Sequence, residues 1–157
     1  MFTQSRLQIA QFTIILLSLI AAWTIELIYE LIPCPICWMQ RFILISLMIC
    51  LMFEFRYQLK TFLTCLIYLL LVAGILLTMH HQYLITNYDP NASCLPGFDY
   101  LMNTFGVFKA LHLIMTDHSS SCGDVVFSFL GFNIPQLLMM IYALLIGLNI
   151  FKQRLSS

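Results

Sequence analysis

Charge is scarce in this sequence. Only 9% of its 157 residues are Asp, Glu, Lys or Arg, against about 25% in an ordinary soluble domain. Seven basic residues balance seven acidic ones, so the formal net charge is zero. The basic residues are also scattered, which excludes the clustered positive surface that nucleic-acid binding requires. Glycine and proline are few (6 and 5), and there is no internal repeat, low-complexity tract or inter-domain linker. One domain over residues 1–157 is therefore expected.

What fills the chain instead is apolar surface, at 61% hydrophobic residues. Four stretches, 9–29, 39–55, 62–82 and 134–151, approach the ~20 residues that a helix needs to cross a bilayer. Spanning segments must satisfy their own backbone hydrogen bonds, so helices are expected. The fold class is an all-α membrane protein, a four-helix transmembrane bundle. The second stretch is the shortest and works with Arg41 and Glu54 at opposite interfaces. The first has one feature of a cleaved signal peptide, Arg6 ahead of an apolar run with Ala21-Ala22 near its end. That run exceeds the usual ~7–15-residue apolar region, and its loss would spoil the charge topology.

That topology rests on seven basic residues. Arg6, Arg56, Lys60, Lys152 and Arg154 fall on one side of a four-span chain, and only Arg41 and Lys109 on the other. The positive-inside rule places both termini and the turn at 56–60 in the cytoplasm. The loop holding Cys34 and Cys37 and the long loop at about 83–133 then face outward, into an oxidising compartment if the host has a periplasm. Loops of about fifty residues in a compact protein are usually functional. Within this one, Phe98, Leu101, Met102, Phe105, Phe108, His112 and Met115 recur at helical spacing. They suggest a short amphipathic helix on the outer membrane surface or packed on the bundle top, weakened by Gly106. Asn133 can cap the fourth span, with Pro135 in its first turn.

The cysteines carry the chemistry. Cys50 and Cys65 sit inside apolar spans and read as inert filler. Cys34, Cys37, Cys94 and Cys122 all fall on the outer side. A Cys94–Cys122 disulfide closing about 29 residues would stabilise by roughly 3–4 kcal/mol, enough to account for that pair as a static staple. Cys34-Pro35-Ile36-Cys37 constrains too short a ring for that, and its spacing suits redox exchange or metal binding. Trp38 stands where haem attachment requires His. A Cys₄ zinc site is a competitor, but it usually has two closely spaced pairs, and no His lies near Cys34 in sequence. Arg41 favours redox work. It lies four residues beyond Cys37, on the same helical face, and both thiols sit at a helix N-terminus where the dipole favours anions. Both effects raise the thiolate fraction. The competing reading is that Arg41 simply marks the membrane interface.

The run Pro33-Cys34-Pro35-Ile36-Cys37-Trp38-Met39-Gln40-Arg41 resembles the signature of the DsbB-type thiol–quinone oxidoreductases. Phe129-Leu130-Gly131 with Pro135-Gln136 is similar to that family's entry to its fourth span, where Leu137 replaces a frequent Trp. His81, thirteen residues before Cys94, matches the family spacing. The resemblance implies that Cys94 exchanges with a DsbA-like thioredoxin-fold partner and that Cys122 completes the loop disulfide. It implies that Cys34 exchanges with the loop pair, that Cys37 passes electrons to a quinone (ubiquinone or menaquinone), and that Arg41 and His81 contact the quinone. It also implies a bacterial inner membrane and no resident metal. Glu26, Glu30, His80, His112 and His118 receive no role.

A DsbA-like partner has a reduction potential near −120 mV, and each 30 mV is worth about 1.4 kcal/mol for two electrons, so a terminal acceptor stronger than a structural disulfide is needed. Three other readings compete. A vitamin K epoxide reductase type places its Cys-x-x-Cys in a late span, not at the start of the second. A tetraspanin-like scaffold would hold a permanently oxidised loop, and a Cys₄ protein would hold stoichiometric metal.

Overall fold

The computed structural model describes residues 2–30, 34–56, 60–87, 98–116, 128–129 and 131–155. Five helices run α1 (Phe2–Tyr29), α2 (Pro35–Arg56), α3 (Lys60–Thr86), α4 (Phe98–Thr116) and α5 (Ile134–Arg154). Segments of α1, α2, α3 and α5 are each long and apolar enough to cross a membrane: Ser5–Tyr29, Pro35–Glu54, Thr61–Thr86 and Ile134–Arg154. The expected four-span, all-α membrane architecture is what the chain adopts. Each helix extends beyond its expected apolar stretch by up to several residues, because polar end residues continue the hydrogen-bonded spiral past the apolar boundary.

α2 packs on α3, α3 on α5 and α1 on α2, and α1 closes the ring on α5. Ile15 and Leu19 of α1, Leu44, Leu47, Cys50 and Leu51 of α2, Ile67 and Leu71 of α3, and Tyr142 and Leu145 of α5 form the central core. The outer surfaces stay apolar, with Leu17, Leu27, Leu69 and Leu76 all at least 59% exposed. Water does not solvate such faces favourably; lipid does. Cys50 is core filler as expected, but Cys65 is not: it is exposed, beside Thr61, Thr64, Tyr68 and Gln153. In a helix that is apolar all round, composition does not tell the inner face from the lipid face.

Gly74 of α3 sits against the ring of Tyr142, and a Cβ there would overlap three ring atoms. Tyr142 is fully buried and has no open side to retreat to. Gly74→Ala is expected to lower bundle stability by about 1–3 kcal/mol, the usual cost of overpacking. Thermal loss of helicity in detergent measures it, and pairing the change with Tyr142→Leu should recover most of the loss.

A second cluster covers the end of the bundle where α2 begins. Leu101, Ala110 and Ile114 of α4 pack with Ile36 of α2 and Leu77 and Leu84 of α3, and Cys34 and Met39 rest against them. α4 is interrupted at Gly106, whose backbone (φ 74°, ψ 163°) breaks the helical repeat. The apolar stripe expected across the whole segment holds at Leu101 and Met102 but not from Phe105 onward, Phe105 itself being 40% exposed. Phe108 is 90% exposed, and Ala110 and Ile114 are buried in its place. A non-helical residue rotates the second half of the segment against the first, so no single 3.6-residue period runs through both.

A two-stranded hairpin, β1 (Ser128–Phe129) and β2 (Phe132–Asn133), leads into α5, pairing Phe129 with Phe132. Gly131 supplies the positive φ of 84° that so tight a turn needs. The Asn133 N–H donates to Gln136 Oε1 at 3.1 Å, with Pro135 in the first turn of α5. Asn133 stands at the N-cap as expected, with Gln136 closing back on it, and Phe129 and Gly131 of the Phe-Leu-Gly motif precede it.

Candidate functional site

The site forms where α2 begins. Cys34 precedes Pro35, whose fixed φ and missing N–H suit the first helical position. The Cys34 carbonyl accepts the first helical bond, from Trp38 N at 3.2 Å. The Cys34 sulfur accepts a hydrogen bond from Cys37 N at 3.3 Å. Cys34 thus occupies the N-cap, with sulfur in the place of the usual Ser, Asp or Asn oxygen. An N–H donor and the positive end of the helix dipole both favour negative charge on that sulfur. Sequence spacing placed both thiols at the dipole; the geometry gives the capping contact to Cys34.

Cys37 Sγ lies 2.9 Å from Cys34 Sγ, both as half-buried thiols. From the C-terminal part of α3, buried His81 brings Nε2 to 3.8 Å from Cys34 Sγ. The imidazole therefore stands beside the cysteine pair. Gln40, one turn beyond Cys37 on α2, is 2% exposed, and its Nε2 has no hydrogen-bond partner among the described residues.

Arg41 is buried at the same end of the bundle. Its Nη1 pairs with Glu26 Oε2 of α1 at 2.6 Å, the side chains 10% and 28% exposed. Its guanidinium also lies 5.5 Å from the centre of the Trp38 ring. Glu26, to which the sequence assigns no role, is the counter-charge that pairs with Arg41. Glu30 ends α1 with a positive φ of 50°. His112 is exposed on α4.

The structure thus brings together Cys34, Cys37 and His81, and sets Arg41 on the same helix as the cysteines. Cys94 and Cys122 lie outside the described residues, as does His118. Chemically, the arrangement offers two adjacent thiols, one at a helix N-terminus, beside a buried imidazole at the rim of a membrane bundle. It suits reversible formation of a disulfide.

A family model described as Disulfide bond formation protein DsbB matches residues 4–151. A Disulfide bond formation protein B of Marinobacter nauticus is 29% identical over 138 residues, 85% of this chain and 82% of its own length. A Disulfide bond formation protein B of Methylobacillus flagellatus is 32% identical over 130 residues, 78% of this chain and 75% of its own length. No solved structure matches significantly.

Proposed function

The chain belongs to the DsbB family of disulfide bond formation proteins, and from that premise we propose that it reoxidises a DsbA-like thioredoxin-fold partner and passes the electrons to a membrane quinone. Disulfide bond formation by a multi-pass membrane protein is the family's work. The direction of electron flow, the partner and the acceptor are the proposal.

The observation that carries it is the Cys34–Cys37 dithiol at the start of a membrane-spanning helix. Electrons enter at Cys94, whose disulfide with Cys122 is opened by the partner's thiolate. The reduced loop pair then exchanges with a Cys34–Cys37 disulfide. Each exchange breaks one S–S bond and forms another, conserving two electrons. Reoxidation of the Cys34–Cys37 dithiol releases two electrons and two protons, and a quinone, when bound, takes up both.

The residues present fit such a group. Gln40 Nε2 is a buried donor lacking a partner, the kind of atom a carbonyl oxygen satisfies. Arg41 lies one residue further along α2, fixed by Glu26. Arg41, with His81, would border the quinone head. The N-terminus of α2 stabilises the attacking thiolate, and α4 shields the pair from water through Leu101, Ala110 and Ile114. The excess of basic residues at the termini and the 56–60 turn supports an inner-membrane orientation with both termini cytoplasmic and the dithiol and long loop in the periplasm. α4 exposes Tyr100, Val107 and Phe108 outward, a face suited to the lipid surface.

Anaerobic mixing of the full chain with quinone and a reduced thioredoxin-fold partner tests the reading. One quinol per partner disulfide, dependent on Cys94, is expected. Partner oxidation without quinol formation overturns the acceptor; quinol formation by a Cys94→Ser chain overturns the entry point.

Arg41→Ala is expected to raise the quinone concentration needed for half-maximal turnover by roughly 10–100-fold. A hydrogen bond from a charged group contributes about 1.5–3 kcal/mol. Glu26→Gln, which frees the guanidinium without removing it, should cost less. A quinone titration of both variants gives the comparison, and an unchanged curve for Arg41→Ala removes its role.

A further inference from the structure

From the convergence of Cys34, Cys37 and His81 we infer that the reduced chain binds a thiophilic divalent cation, zinc above all, at its own redox pair, and that this binding holds the dithiol out of exchange. Ligation of a cation goes beyond disulfide exchange, and it holds whether or not the electron acceptor is a quinone.

One ligand atom from each of the three residues lies within 4.8 Å of the other two. Cys34 Sγ is 2.9 Å from Cys37 Sγ and 3.8 Å from His81 Nε2. Zinc binds sulfur at about 2.3 Å and imidazole nitrogen at about 2.0–2.1 Å in a tetrahedron. That geometry separates two sulfurs by about 3.8 Å and a sulfur from a nitrogen by about 3.6 Å. The His81 distance already fits. The sulfurs must part by under about 1 Å, which a small χ1 rotation provides.

The donor set is the soft kind that selects zinc over magnesium or calcium. Two thiolates and an imidazole leave the fourth position open, as in sites that keep a water or exchange a ligand. The surroundings support a fixed ligand set. His81 is 4% exposed on a rigid helix, and Cys34 is held by its own capping bond.

Binding is tied to redox state. Each thiol loses its proton on ligation, so the dithiol and Zn²⁺ give the dithiolate complex and release two protons; no electron moves. The disulfide offers no thiolate and does not bind. Zinc therefore competes with disulfide formation, and a metal-loaded site can neither accept from the loop pair nor pass electrons on until the metal leaves.

The sequence offers a Cys₄ set with no nearby histidine. The fold brings His81, 47 positions from Cys34, to the cysteine pair.

The test uses the full chain in detergent with Cys94→Ser and Cys122→Ser, so that the loop thiols contribute no ligands. Reduced chain is titrated anaerobically with Zn²⁺ in competition with a chromophoric chelator, and separately with Co²⁺, whose visible bands report tetrahedral thiolate ligation. One cation per chain and two released protons are expected, with none bound after oxidation of the Cys34–Cys37 pair. His81→Ala should weaken affinity at least tenfold, of the order seen for perturbed metal sites. His81→Cys, which restores a ligand, should recover it and show that loss in the alanine variant is not misfolding. Equal binding by the oxidised chain, by Cys34→Ser, or by His81→Ala overturns the inference.

Discussion

Cys37→Ala is expected to abolish quinone-dependent turnover, by at least about a thousandfold, the order of loss when a covalent catalyst is deprived of its nucleophile. The reason lies in the covalent sequence. The reduced loop pair hands on its electrons by opening a Cys34–Cys37 disulfide, whose two sulfurs stand 2.9 Å apart. Cys34 alone is a thiol with no S–S bond to open, so the partner's two electrons stop at the loop pair. After addition of reduced partner the variant should oxidise at most one equivalent and then hold Cys94 and Cys122 as thiols, visible by alkylation on gels. Cys34→Ala should lose turnover in the same way. The stability of neither variant need change, since both side chains are only half-buried. Turnover of the partner by Cys37→Ala at the parental rate would overturn the proposed electron path.

How this site could be seen in advance depends on which contacts the chain order dictates. Four apolar stretches and a thiol pair at the head of the second were legible, because a bilayer imposes length and composition directly. One site contact was legible in principle as well. Cys34 and His81 stand nearly equidistant from the α2–α3 turn. Antiparallel neighbours joined by short turns bring equidistant residues level. That symmetry is a stronger signal for His81 than its spacing to Cys94; Glu26 and Arg41, three and six residues from their turn, share no such symmetry. Other features had no such signal. Cys65 and Cys50 occupy equally apolar runs, yet one is exposed and the other is core. The rotation of α4 at Gly106 depends on a backbone conformation that glycine permits but does not require. The hairpin before α5 is two residues long on each strand, too short for an alternating pattern to show.

The largest effect on stability is expected at the opposite end of the bundle. Lys152 Nζ of α5 reaches Glu54 Oε2 of α2 at 2.7 Å, both side chains 7% exposed. The Thr64 hydroxyl of α3 also donates to Glu54 Oε1, at 3.5 Å. In a ring ordered α1, α2, α3, α5, the helices α2 and α5 are diagonal, and this ion pair joins them through the interior. The pair was not foreseen. Glu54 and Lys152 were each expected at an interface, and nothing in their spacing links spans two and four. Burial at that end is already polar, with Gln11 Nε2 donating to the Leu145 carbonyl at 3.4 Å and Asn149 2% exposed. Lys152→Met leaves the Glu54 carboxylate buried without its counter-charge, at a cost of about 3–5 kcal/mol. Glu54→Leu strands the ammonium instead, but Lys152 ends a helix and can extend toward water, so its cost should be smaller. The double variant removes both desolvated charges and should lie within about 1–2 kcal/mol of the parent or above it. Denaturant or thermal unfolding of the three variants in detergent measures the cycle. A double variant as unstable as Lys152→Met would show that the two charges act independently, and would remove the pair as the tie between the diagonal helices.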